Sequence, residues 1–333
     1  MTRLLRQLVL WGVIAAALAG GALAWWLQRP LALAGETAEL SIEAGATPRQ
    51  IAQGWVDAGV ETMPWLLYEW FRWSGKARSI RAGNYEITAG TTPRGLLDKL
   101  IAGDETLARV TFIEGWTFRQ MREALAKAPS LKPDSGGMTD AAVMAALGAP
   151  SQPAEGRFFP DTYTYARGTS DLAVLRRAHE AMARRLAQAW AARGPDSPLR
   201  NADDALTLAS IVEKETGRPE DRSLVAGVFV NRLRKGMPLQ TDPTVIYGLG
   251  TDFDGNLRKR DLLRDGPYNT YLRAGLPPTP ISMPGRAALL AVVQPARTQA
   301  LYFVARGDGT SHFSDSLAEH NRAVQQFQKR QEP

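Results

Sequence analysis

The chain has 333 residues, 44% of them hydrophobic and 22% charged, enough for two domains with cores of their own. It carries a net charge of +6, which fits an anionic partner such as membrane headgroups, nucleic acid or an acidic polymer without selecting among them. Cysteine is absent and the histidines are His179, His312 and His320, so disulfide frameworks, thiol nucleophiles and the usual zinc spacings are excluded, and bond cleavage must rest on carboxylates, hydroxyls and amides.

In chain order, the first predicted element is an uncharged stretch from Leu8 to Leu27, long enough to span a bilayer, with Trp11, Trp25 and Trp26 near its ends where indoles favour the interface. Arg3 and Arg6 precede it, which puts residues 1–7 in the cytoplasm and the rest outside. Ala32-Leu33-Ala34 also reads as a signal cleavage site, so an anchor and a cleaved leader both stay open.

A strand-to-helix device then appears three times, as Gly45-Ala46-Thr47-Pro48-Arg49, Gly90-Thr91-Thr92-Pro93-Arg94 and Gly115-Trp116-Thr117-Phe118-Arg119. Each threonine can cap a helix, Pro48 and Pro93 suit the first helical position, and Gln50 and Gln120 are placed to complete capping boxes. Residues 36–105 parse as strand, helix (47–58), helix (64–73), strand (83–88) and helix (93–102). This small βααβ unit resembles a LysM-like module, a fold class that binds N-acetylglucosamine polymers; a structural spacer is the alternative.

Residues 132–152 are rich in Gly and Pro and read as a surface connection. Residues 155–165 are aromatic and turn-rich, as sugar clefts and cores both are. A long helix follows over 172–193, with His179 on its apolar stripe as a packed histidine and its arginines on a solvated face.

The richest segment runs from Leu208 to Thr216. Counting back from Glu215 by three, four and seven reaches Val212, Ile211 and Leu208, which places that carboxylate on an aliphatic helix face. Burial there raises its pKa toward the range of a general acid near neutral pH, although a helix-ending ion pair has the same signature. Glu213 shares its face with Ser210, Ala209 and Leu206.

Beyond it stand Leu239-Gln240-Thr241-Asp242-Pro243, Tyr268-Asn269-Thr270-Tyr271, Gly275-Leu276-Pro277-Pro278-Thr279-Pro280-Ile281, Phe303-Val304 and His320-Asn321. With residues 155–165, these strings closely resemble the endolytic murein transglycosylases, the YceG-like or MltG family, over nearly the whole chain. The resemblance implies an α+β protein: an N-terminal transmembrane helix (8–27), the LysM-like part, and a mainly helical, lysozyme-like catalytic domain with short β elements over 106–333. It implies a lyase that cleaves the β-1,4 bond between N-acetylmuramic acid and N-acetylglucosamine without water and leaves a 1,6-anhydro end, terminating nascent glycan strands.

Glu215 matches the family's catalytic glutamate. The order Glu215-Thr216, Leu239-Gln240 and Tyr268-Asn269 echoes the series of the lysozyme-like lytic transglycosylases, which supports Thr216, Gln240, Tyr268 and Asn269 as cleft groups. Tyr247 and Tyr163 can stack on sugar rings, and each of these six also has a structural reading. Asp242, before Pro243, reads as a turn or cap residue. No cofactor, metal or nucleic acid is implied. The implied partners are glycan strands, the bacterial inner membrane and peptidoglycan synthases (penicillin-binding proteins), with the catalytic part in the periplasm. Two rivals stay open: a muramidase with Asp161, Glu220 or Asp242 as second carboxylate, and a non-catalytic wall-binding scaffold.

Overall fold

The computed structural model describes residues 2–327; the first residue of the predicted cytoplasmic N-terminus and the last six of the predicted catalytic part lie outside the described residues. The chain divides into two compact units. The first holds residues up to Ala108 together with Thr164–Gly168, and the second holds Arg109–Tyr163 and the chain from Thr169 onward.

The first unit begins with α1 (Thr2–Gln28), in which Arg6–Gln28 is long and apolar enough to cross a bilayer. After it come β1 (Ala32–Leu33), β2 (Thr37–Ile42), α2 (Pro48–Asp57), β3 (Val60–Glu61), α3 (Pro64–Trp73), β4 (Gly83–Thr88) and α4 (Pro93–Ala102). The local devices explain these boundaries. Gly45 and Gly90 adopt φ of 88° and 99°, a left-handed turn that a side chain disfavours. Thr47 then caps α2 in a full capping box with Gln50, and Thr92 caps α4 through the Gly95 N–H. β2 and β4 pair antiparallel from Thr37↔Thr88 to Ile42↔Gly83, and β1 pairs with β3. Ala38 and Ile42 of β2, with Tyr85 and Ile87 of β4, point into a core built on Trp55, Leu67, Phe71, Leu96, Leu97 and Leu100.

β5 (Leu107–Thr111) and β6 (Thr162–Ala166) form a further two-stranded pair, through which the chain passes from one unit to the other. The second unit contains α5 (Phe118–Lys127), α6 (Asp140–Ala146), α7 (Asp171–Ala191), α8 (Ala202–Glu215), α9 (Arg222–Arg234), α10 (Asp242–Leu249), the single turn α11 (Lys259–Leu262), α12 (Arg286–Val293), the hairpin β7 (Tyr302–Ala305) with β8 (Ser311–Ser314), and α13 (Leu317–Phe327). Thr117 and Gln120 complete the capping box of α5. α6 corrects the reading of 132–152 as a bare connection. The Thr139 side chain caps it and Val143 and Met144 are buried, but its flanking Gly and Pro residues hide so short a helix in the sequence. His179 is half-buried against the Phe158 ring, centroids 5.8 Å apart.

At the centre of this unit stands α8, whose residues Ala205 to Val212 are all buried. α7, α9, α10 and α12 pack around it. A helix enclosed on every side has no solvent face, so the amphipathic argument for Glu215 describes only one side of a helix that is buried all round, Thr207 and Ser210 included.

Candidate active site

Because α8 is enclosed until Val212, both carboxylates in its last turn emerge from an apolar sheath, and burial raises the pKa of each. Their partners separate them. Glu213 accepts the Gly285 N–H at 2.8 Å and lies 3.7 Å from the Arg222 guanidinium, so its charge is compensated from within the fold. Glu215 accepts a hydrogen bond from the Thr241 hydroxyl and has no ion pair among the described residues, while neighbouring Asp242 pushes its pKa up further. A neutral donor compensates a buried carboxylate far less than a guanidinium does.

Glu215 also opens onto space. It lines a cavity of about 680 Å³ together with Gln240, Asp242, Tyr271, Arg232 and Tyr302, to which β7 and His320 and Asn321 of α13 also contribute. Of the catalytic and sugar-binding candidates read from the sequence, Glu215 and Gln240 meet here, beside Asp242 and the His320-Asn321 pair. Gln240 has a φ of 49°, a left-handed backbone that costs a non-glycine residue on the order of 1–2 kcal/mol. Three contacts hold it there: its N–H donates to Thr270 O at 3.0 Å, its side-chain Oε1 accepts from Arg232 Nη1 at 3.1 Å, and the Thr241 N–H that follows donates to Thr270 Oγ1 at 3.2 Å. With Oε1 engaged by Arg232, the amide of Gln240 presents its NH₂ as the free group.

Thr216 does not line this cavity; it ends α8, and its hydroxyl donates back to Val212 O at 2.7 Å. Asn269 is buried and ties a loop, donating to Leu262 O and Arg264 O and accepting the Tyr271 and Leu272 N–H groups. That loop presents Thr270, which holds Gln240 and Thr241, so Asn269 acts on the cleft through the backbone. The Tyr268 hydroxyl bonds to that of Thr279 at 2.7 Å, and its ring lies edge-on to Tyr247, centroids 4.9 Å apart. Tyr247 donates to Glu155 Oε2 at 3.2 Å. Tyr163 is buried, donates to Phe159 O at 2.8 Å, and lines a different cavity of about 510 Å³. Among the candidate second carboxylates, Asp242 lines the cavity of Glu215 and accepts from the Tyr271 hydroxyl at 2.6 Å, Asp161 lines that of Tyr163, and Glu220 is exposed in a 3₁₀ turn.

Sequence reasoning missed Arg232 and Thr241. Arg232 is 6% exposed and donates to Leu301 O, Pro238 O, Leu239 O and Gln240 Oε1, with Tyr302 4.9 Å away under its guanidinium. No described carboxylate pairs with it, and burial lowers its pKa. An arginine inside the apolar run from Val225 to Leu233 was the available signal. Among the described residues, no group of three or more His, Cys, Asp or Glu side chains could hold a metal ion.

The cleft lies at the end of a buried helix, with Glu215 and Asp242 among its lining residues. The model of the YceG-like family matches residues 40–326. A Bacillus subtilis protein named endolytic murein transglycosylase is 32% identical over 75% of this chain and 74% of its own length. A Streptococcus pneumoniae protein of the same name is 27% identical over 78% of this chain, which spans 53% of that relative's length. The crystal structure of a yceG-like protein from Listeria monocytogenes superposes with a TM-score of 0.55 at 30% identity, covering 86% of this chain and 98% of that one. The chain belongs to the YceG-like family.

Proposed function

We propose that the cavity beside Glu215 cleaves the β-1,4 bond between N-acetylmuramic acid and N-acetylglucosamine within nascent peptidoglycan strands and leaves a 1,6-anhydro end. The chain is an enzyme of the lytic transglycosylase class, a lyase, as its relatives' shared name supports. The observation that carries the finer reading is the partnering of Glu215: a desolvated carboxyl with a raised pKa, one neutral hydroxyl donor and an open cavity in front of it. Protonated, it gives its proton to the glycosidic oxygen as the bond to C1 breaks. The carboxylate that results takes the proton of the sugar's own C6 hydroxyl as that oxygen closes on C1. One group serves as acid and then as base, and no water is consumed. Gln240 offers its NH₂ group to the sugar, and Tyr271 and Tyr302 form the cavity walls.

Asp242 in the same cavity favours a second reading, a hydrolase with two carboxylates, whose separation would be about 5–5.5 Å or 6.5–9.5 Å. Incubating the full chain in detergent, wild type and Glu215→Gln, with uncrosslinked glycan strands and identifying termini by mass spectrometry separates the two. Anhydro ends from wild type alone are the expected result; reducing ends would establish the hydrolase, and ends from both proteins would remove Glu215 from the role. The same proposal puts α1 in the bacterial inner membrane with the second unit on the periplasmic side. The βααβ order of the first unit supports a LysM-like glycan-binding part, and peptidoglycan synthases are the partners that chemistry implies.

A further inference from the structure

The first unit carries an unusual outer surface. α3 buries Leu67 and Phe71 on one side, and Trp70 turns its indole inward to donate to Pro93 O at 3.1 Å. On the other side Trp65 and Trp73 are 60% and 76% exposed, with Met63 beside them at 61%. Trp65, Glu69 and Trp73 follow one another at i, i+4 and i+8, so they form one stripe along the helix. Two exposed tryptophans on the outer stripe of a core-packed helix are a cost in water, and indoles gain at a membrane interface, where an apolar body and a polar N–H are both accommodated.

The contacts that tie α3 to the end of the anchor pass through the immediate neighbours of α1, namely β1 and α4. The end of α1 is fixed to the first unit: Trp26 packs against its core and the Leu31 N–H donates to Thr91 O at 2.8 Å. From Gln28 to Ala32 the chain can reach at most about 14 Å. β3 pairs antiparallel with β1, Ala32 opposite Glu61 and Leu33 opposite Val60, so Glu61, two residues before Met63, is tied to the strand that follows the anchor. The Trp70 indole of α3 donates to Pro93 O, two residues from the Thr91 carbonyl that receives the Leu31 N–H, so α3 adjoins the end of α1 through the start of α4. Trp25, exposed on the last turn of α1 beneath the Arg29 guanidinium at 4.3 Å, is a further indole suited to the interface. Arg72, paired with Glu69 at 2.9 Å, Lys76, 3.9 Å from Asp98, and Arg78 stand exposed near the far end of the stripe, where exposed cations suit anionic headgroups.

We infer that α3 is a membrane-surface helix: the Met63, Trp65 and Trp73 side chains enter the headgroup region of the bilayer that α1 spans and hold the first unit flat against it. This rests on reading α1 as an anchor. It gives the enzyme a second attachment at a fixed height above the lipid.

The absence of cysteine allows a direct test in the full chain. Trp65→Cys, Trp73→Cys and, as a control on the exposed side of α2, Gln53→Cys would each be labelled with an environment-sensitive nitrobenzoxadiazole and reconstituted into phosphatidylethanolamine–phosphatidylglycerol liposomes. Labels at 65 and 73 are expected to emit at shorter wavelength and to be quenched several-fold more by lipids spin-labelled near the headgroup than by aqueous iodide, with the reverse at 53. Labels at 65 and 73 that behave like the control, in a chain that floats with the liposomes, overturn the inference and leave the anchor intact. A chain that fails to float removes both. Protection of 65 and 73 from iodide by added glycan strands, and not by lipid, would make the stripe a sugar platform and also overturn it.

Discussion

The Thr241 hydroxyl donates to the carboxylate of Glu215, across a gap in sequence that spans α9 and the turn after it. Among the described residues it is the hydrogen bond that stabilises the charged form of an acid whose other surroundings, burial and Asp242, oppose charge. Glu213, two residues earlier in the same helix, is instead held by a guanidinium and a backbone N–H. The difference in partners, at the same helix end, leaves one carboxyl with a neutral donor beside a cavity and the other held by a counter-charge.

Glu215→Gln keeps the shape of the side chain and loses the proton. General acid catalysis alone accounts for about 10²–10⁴-fold, and the loss of both proton transfers is expected to reach or exceed the upper figure. Folding should not suffer, because above the carboxyl range the wild-type protein must hold a desolvated charge that the amide does not carry. Glycan cleavage and thermal unfolding measured on one preparation check both halves; a variant that unfolds early would contradict the second.

Thr241→Val is nearly isosteric and removes the donor. Since that hydrogen bond lowers the Glu215 pKa, its loss raises it. The acid form persists below the pKa, so the limb on which cleavage declines with rising pH is expected to move to higher pH, whereas Thr241→Ser leaves it in place. An unmoved limb in the valine variant would show that another group titrates there.

Gln240→Gly tests strain against function. Glycine adopts the left-handed φ without penalty, so relief of about 1 kcal/mol is expected to offset the loss of the Arg232 contact. Thermal stability should stay level or rise while cleavage falls. Parallel losses in both would mean that Gln240 is held there for structure alone.

Arg232→Lys keeps the charge but replaces a planar fork with one ammonium, which cannot serve Leu301 O and the Pro238–Gln240 turn together. Cleavage is expected to fall well below wild type as Gln240 loses its orientation. Full activity in the lysine variant would show that charge suffices.

Glu155 carries the protein's clearest pH dependence of stability. Burial raises its pKa from 4.5 to about 7, against the hydrogen bonds it accepts from Phe118 N–H and the Tyr247 hydroxyl. The folded state binds this proton more tightly than the unfolded chain does. Stability is therefore lost as pH climbs from about 4.5 to about 7, by up to about 3 kcal/mol, and is not recovered above. Glu155→Gln lacks the titration, so its denaturant midpoint relative to wild type should improve between pH 5 and pH 8. A difference that does not change with pH would exclude the shift.

Much of the architecture is legible because its causes are local. The boundaries of α3, β4 and α4 coincide with those read from the sequence, and the Gln50 and Gln120 capping boxes form as expected, since a cap or a proline at the first helical position acts within four residues. α6 escaped because a helix of two turns lies within the noise of Gly and Pro around it. At the cleft, the glutamine beside the turn was visible in its string, but the arginine that orients it comes from another helix.

By itself, then, the sequence determined the apolar N-terminal helix, the capped helices and the presence of carboxylates at the end of an apolar run, because each depends on neighbours a few residues away. Which carboxylate meets a counter-charge, which faces a cavity, and that Gln240, held by Thr270 and Arg232, lines that cavity, depend on groups from α9, α10, the loop of Asn269 and the β7–β8 hairpin. Those groups are distant in the chain, and only their packing around α8 sets desolvation, hydrogen bonding and access for Glu215.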